Sequence, residues 1–140
     1  MWSHYTLDHQ GLCLQFDAAK DTRTFIQVVR MQYCDDYPVL NWTTDFDAGI
    51  NIAITRKHSC WEYERETRII EPEGSSRYLC FFPESLRAII IGCSAPLATV
   101  EKLRELVQER SAVGLRTPKF YRTVKHKSKY KLLLRAEPNL

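Results

Sequence analysis

Short apolar runs separated by polar breaks set the pattern of this chain, and no single period dominates it. Gly11 to Asp17 (GLCLQFD) alternates loosely between its bounding Gly and Asp, which predicts a strand. Phe25 to Tyr33 (FIQVVRMQY) is rich in β-branched and aromatic residues and predicts a second strand, ended by Asp35-Asp36-Tyr37-Pro38. Phe46, Ile50 and Ile54 recur at four-residue intervals, so Thr44 to Lys57 reads as an amphipathic helix, weakened by Gly49. Trp61 to Ile70 (WEYERETRII) fits either a strand with alternating faces or one helical turn feeding a strand. Glu71-Pro72-Glu73-Gly74 reads as a turn, and Arg77 to Phe82 as a strand broken by Pro83.

The second half is clearer. Leu86 to Cys93 (LRAIIIGC) is an unbroken branched run with a Gly end, the pattern of a buried strand. Leu97 to Arg110 carries Val100, Leu103, Leu106 and Val107 on one stripe, and Pro96 suits a first helical turn. Val113 to Arg116 and Tyr130 to Ala136 read as short strands. Strands outnumber helices and no βαβ rhythm is visible. The expected fold class is α+β: a mixed, mostly antiparallel sheet with two main helices, at about 44–57 and 97–110. At 140 residues, a single domain spanning 1–140 is expected.

Composition excludes more than it identifies. With 44% hydrophobic and 26% charged residues, the chain is neither a disordered nor a collagen-like sequence. The longest branched run, Ala88 to Ile91, is far short of the roughly 18 residues of a membrane span, so no membrane partner is expected. Met1 to Tyr5 lacks the basic patch and apolar core of a signal peptide, which makes a cytoplasmic location the expectation. Cys13, Cys34, Cys60, Cys80 and Cys93 are odd in number and widely spaced, which fits no disulfide framework; all but Cys60 sit among apolar residues and read as small buried hydrophobes, and Cys60, after His58, has no other support as a nucleophile. No metal-binding or phosphate-loop motif is present, so no metal is expected.

Charge changes the picture. The net of +3 conceals an acidic body, 12 bases against 16 acids over residues 1–112, and eight bases without an acid between Val113 and Arg135. In this basic segment, 116–135, Lys119, Arg122, Lys125, Lys127, Lys129 and Lys131 interleave with aromatics. Such cations can track phosphates while the rings stack on bases, a candidate nucleic-acid surface. Lys125, Lys127, Lys129 and Lys131 would share one face of a strand. A solvated loop, or an edge strand guarded by lysines, accounts for the same pattern.

A second constellation is Trp61 to Arg68. On a strand, Glu62, Glu64, Glu66 and Arg68 would share a face, and crowded carboxylates would drive one pKa up. Glu64, Glu66 and Arg68 are therefore the candidate catalytic set; a structural ion-pair ladder is the alternative. Trp2, His4 and Tyr5 form a candidate slot for a flat ligand such as a nucleobase or nicotinamide, or else a packed aromatic cluster. Lys57, beside His58, is a candidate phosphate ligand or a solvated helix end, and Trp61 and Tyr63 complete the candidate ligand-binding set.

The opening MWSHYTLDHQGLCLQFD, the central KHSCWEYERETRII, the stretch from Phe82 into the Leu97 helix and the final Tyr130-Lys131-Leu132 together resemble the bacterial family catalogued as domain of unknown function 2971. In that family the Met-Trp-x-His-Tyr segment is internal. The resemblance therefore implies a C-terminal fragment of a larger domain, incomplete and inactive alone, with exposed surface left for a missing N-terminal partner or a homo-oligomer. It also implies, by weak fold-level analogy, a partial ADP-ribosyltransferase-like layout, a nucleotide or NAD as ligand, and a role in bacterial defence. Glu64 or Glu66 would then stabilise a ribose cation. A nucleic-acid-binding or protein-interaction module acting through the basic segment is the competing expectation.

Overall fold

A computed structural model describes residues 2–26, 28–39, 43–44, 46–70 and 78–138, with the side chains of Trp2 and Ser3 outside the description. The fold is mixed α+β. In chain order its elements are α1 (Trp2–Tyr5), β1 (Leu12–Phe16), α2 (Thr22–Phe25), β2 (Val28–Arg30), β3 (Gln32–Cys34), α3 (Phe46–Thr55), β4 (Arg56–His58), β5 (Thr67–Ile69), β6 (Leu86–Ile91), α4 (Leu97–Ala112), β7 (Lys119–Lys125) and β8 (Leu132–Ala136). They gather into two compact units, residues 1–22 with 80–140, and residues 23–79.

The first unit is built on a four-stranded sheet ordered β1-β6-β7-β8. β6 runs antiparallel to β1 and parallel to β7, and β8 closes antiparallel on β7. The branched run is the reason β6 is central: both its faces must be covered, and Ala88 and Ile91 are fully buried. Parallel pairing of β6 with β7 requires a long crossover, and α4 supplies it. Val100 and Leu103 of α4 pack on Ile89, Ile91 and Phe120, with Leu12, Leu86, Ala95 and Val107 around them. Each fully buried side chain of this kind contributes roughly 1.5–3 kcal/mol. Thr123, buried in the sheet, donates its hydroxyl to Ile91 O at 3.2 Å, which satisfies a polar group that would otherwise be costly there.

The turn from α1 into β1 is tightly constrained. Leu7, Asp8 and His9 all take positive φ, at 44°, 55° and 67°. Gln10 N donates back to Thr6 O, and Ser94 N donates to His9 O. Gly92 is the residue this arrangement requires, since a Cβ there would lie 1.9 Å from His9 O.

In the second unit, residues 28–34 form two short strands that take different partners. β2 pairs antiparallel with β5, and β3 pairs parallel with β4. Between them Met31 is buried and its N–H bonds Glu66 O at 3.1 Å.

Several expectations change. The predicted strand 25–33 is split at Met31, and Phe25 belongs to α2. Helix 44–57 stops at Thr55 because Arg56–His58 pair with β3 instead. Its expected apolar stripe is not its buried side: Phe46 and Ile50 are exposed, and Gly49 is the buried position. Tyr78 to Phe82 and Val113 to Arg116 form no strand. The former is largely solvent-exposed, and the latter holds the turn at Gly114 (φ 78°) that ends α4. The predicted turn at Glu71–Gly74, with Arg77, lies outside the described residues. A βαβ unit, β6-α4-β7, is present although no such rhythm shows in the sequence. No cysteine is buried: Cys13, Cys60 and Cys80 are exposed, Cys34 and Cys93 partly so. No described helix is long and apolar enough to cross a membrane.

Candidate functional site

The site is created by a chain reversal. β4 runs parallel to β3, yet β5 must return antiparallel to β2. A 3-10 turn, Ser59–Glu64, makes the bend, and Arg65 completes it in the left-handed region at φ 48°, ψ 45°. His58 starts the turn by accepting Cys60 N on its Nδ1 at 3.1 Å, so its imidazole acts as a cap. Of the two predicted conformations of Trp61–Ile70, the helical turn feeding a strand is the one formed. Glu62, Glu64, Glu66 and Arg68 therefore do not line one strand face.

The reversal still brings the predicted charges together. Lys57 Nζ lies 2.5 Å from Glu64 Oε2 and 2.8 Å from Glu66 Oε2. The Glu64 side chain is 1% exposed, and Lys57 also sits 5.0 Å from the centre of the Trp61 ring. Arg68 Nε donates to Glu66 Oε1 at 2.5 Å, and its Nη1 donates to Ile54 O at 2.8 Å. That second bond satisfies a carbonyl in the last turn of α3, where a cation also meets the negative end of the helix dipole.

Glu66 does not behave as a crowded carboxylate would. The Arg68 hydrogen bond, and then that of Lys57, hold the Glu66 carboxyl below its ordinary range. Opposite charges, not like ones, are its nearest neighbours. A carboxylate of this kind stays ionised and is a poor proton acceptor at neutral pH. Each Glu66 oxygen already accepts one hydrogen bond, and a carboxylate oxygen can accept two.

Glu66 opens onto a cleft of about 720 Å³, lined also by Arg30, Tyr33, Tyr63, Arg65 and Thr67, with Glu62 alongside. Tyr33 Oη accepts Glu66 N at 2.8 Å, which leaves its proton for a further acceptor. Arg30 and Arg65 form no ion pair among the described residues. Tyr63 is exposed, with its ring 6.1 Å from that of Trp61. Sequence reasoning missed Arg30, Tyr33 and Arg65. Arg30 and Tyr33 were read as parts of one strand, and nothing local marks Arg65 as the residue that turns the chain.

The remaining candidates lie elsewhere. Trp2, His4 and Tyr5 form α1 of the first unit; His4 and Tyr5 are exposed, and the Trp2 side chain lies outside the described residues. Lys57 is not at a helix end but in β4, between the two carboxylates. Of the basic segment, Lys119, Arg122 and Lys125 lie on β7, Lys127 and Lys129 in the turn after it, and Lys131 just before β8. The expected lysine-bearing strand face over 125–131 is therefore absent. Arg122 is held by Glu137 through bonds of 2.7 and 2.9 Å, which keep the Glu137 carboxyl below its ordinary range. No cluster of metal-ligating side chains occurs among the described residues.

One protein-family model, described as protein of unknown function (DUF2971), matches residues 1–69. Over that span the chain resembles this family. The match takes in the opening motif and all the charged residues of the reversal. The resemblances beyond residue 69 fall outside it. No curated protein and no solved structure matches the chain.

Proposed function

We propose that the unit of residues 23–79 binds a small anionic ligand that carries a ring and hydroxyls, and that a nucleotide is the class that fits. The observation carrying this reading is that Arg30 and Arg65, neither in an ion pair among the described residues, line one cleft with Tyr33 and Tyr63. Guanidinium groups take phosphate in a forked geometry, and an exposed tyrosine offers a face for a ring. Glu66, and Glu62 beside it, suit ribose hydroxyls, which donate to carboxylates. The cleft volume lies within the range of small-molecule sites.

Within this reading Glu66, not Glu64, is the carboxylate that meets the ligand, because Glu64 is enclosed against Lys57. Lys57 and Arg68 hold Glu66 in place and keep it charged. Such a group can stabilise a developing positive charge on a ribose, which keeps NAD within the candidate class. Calorimetric titration with AMP, NAD and inorganic phosphate tests the reading. The nucleotides are expected to bind at least about tenfold more tightly than phosphate. Absence of binding by both nucleotides would count against it.

A second reading, nucleic-acid binding, is favoured by one observation. Lys125, Lys127, Lys129 and Lys131 flank the β7–β8 turn in exposed positions, with Tyr130 fully exposed among them. It requires affinity for an oligonucleotide that falls steeply with salt.

A further inference from the structure

At one end of the four-stranded sheet, the loops after β1, before β6 and before β7 enclose a pocket of about 290 Å³. Four cations line it. Lys20 ends a 3-10 turn after β1, Arg87 is on β6, Arg116 is in the loop after α4, and Lys119 opens β7. None of the four forms an ion pair among the described residues, and neither do Asp17 and Glu84, which also line the pocket. Cations gathered without partners repel one another, and a multiply charged anion relieves that repulsion.

The loops that carry these cations are fastened together. Asp21, 1% exposed, accepts Phe82 N at 2.8 Å, and Asp17 N donates to Ser85 O at 2.7 Å. Ser85, fully buried, donates its hydroxyl to Phe82 O at 2.7 Å. Arg110 ties the loop before β6 to the loop before β7, with Nη2 donating to Pro83 O at 2.5 Å and Nε to Arg116 O at 2.9 Å. A frame of polar bonds thus holds the loops that carry the cations before any ligand arrives, which lowers the entropic cost of binding.

Leu86 is the one apolar side chain among the described residues lining the pocket, and no aromatic lines it, so it offers no platform for a ring. Its volume is at the low end for small-molecule sites. Two carboxylates disfavour a single charge making one contact, whereas a chain of charges can reach all four cations.

We propose that this pocket holds a chain of phosphate groups, as inorganic polyphosphate or as the tail of a nucleoside triphosphate, through Lys20, Arg87, Arg116 and Lys119. It shares no lining residue with the cleft formed within residues 23–79.

The test is calorimetric titration of the full chain with inorganic tripolyphosphate and, separately, ATP. R87A/R116A is expected to weaken tripolyphosphate binding at least about tenfold, and K20A/K119A to do the same should the first variant not fold. K127A/K129A, which removes as much charge from the β7–β8 turn, is expected to leave it within about twofold. In R30A/R65A, which disables the nucleotide cleft, tighter binding of tripolyphosphate than ATP identifies free polyphosphate as the source, and ATP binding at least as tight identifies a nucleotide tail; either supports the site. Absence of saturable tripolyphosphate binding, or an equal loss in K127A/K129A, would overturn it.

Discussion

Lys57 Nζ sits 2.5 Å from the Glu64 carboxylate, whose side chain is 1% exposed. A carboxylate so enclosed depends on its cation, because removing one partner of a buried pair strands the other charge. K57M is expected to lower the unfolding free energy by about 3 kcal/mol, while K57M/E64L recovers most of the loss. Urea titrations of both variants measure the difference.

Glu66 links stability to pH. Its folded carboxyl is held below the ordinary value by Arg68 and Lys57, so its contribution is fully present above that ordinary value. It is lost as pH falls through the depressed one. Glu137 follows the same course through Arg122. E66Q is expected to flatten the acid limb of the melting temperature against pH and to leave its shape above pH ~6 unchanged. Thermal melts across that range check this.

Gly92 has no room for a side chain. The nearest obstacle is His9 O, a backbone atom that cannot swing aside. G92A is therefore expected to destabilise the first unit by about 3 kcal/mol, the upper part of the range for overpacking. Its melting temperature should fall accordingly.

Leu7 is the converse case. It takes φ 44° while 79% exposed, so its side chain gives little in return for the strained backbone. L7G is expected to raise stability by about 1 kcal/mol, since glycine adopts that region freely. Chemical denaturation reads this directly.

Elements that stand on continuous local pattern were legible in the sequence. The Ile89–Ile91 run and Val100, Leu103 and Val107 of the α4 stripe form the core because both state their burial locally, while Leu106, read on the same stripe, is exposed. Elements fixed by distant partners were not. Residues 25–33 read as one strand, and only pairing with β4 and β5, more than twenty residues away, divides them at Met31. The candidate site shows the same split. Glu64, Glu66 and Arg68 were grouped on an expected strand face, whereas Lys57 was read apart from them, as a phosphate ligand or a solvated helix end. A 3-10 turn ending at Arg65 brings the four together instead. Arg30 and Tyr33 reach the cleft through tertiary pairing, which leaves no local signal. Lys125 to Lys131 alternate as a strand would, yet they sit around a hairpin turn, where solvation of closely spaced charges is easiest.

Arg30 and Arg65 are proposed to hold the phosphate of a ring-bearing ligand in the cleft beside Glu66. Calorimetric titration of AMP into the full chain, into R30A/R65A and into R87A/R116A tests it most directly. R30A/R65A is expected to bind at least about tenfold more weakly than the unaltered chain, and R87A/R116A to match the unaltered chain. Equal affinity in all three proteins, or no binding to the unaltered chain, would contradict the account.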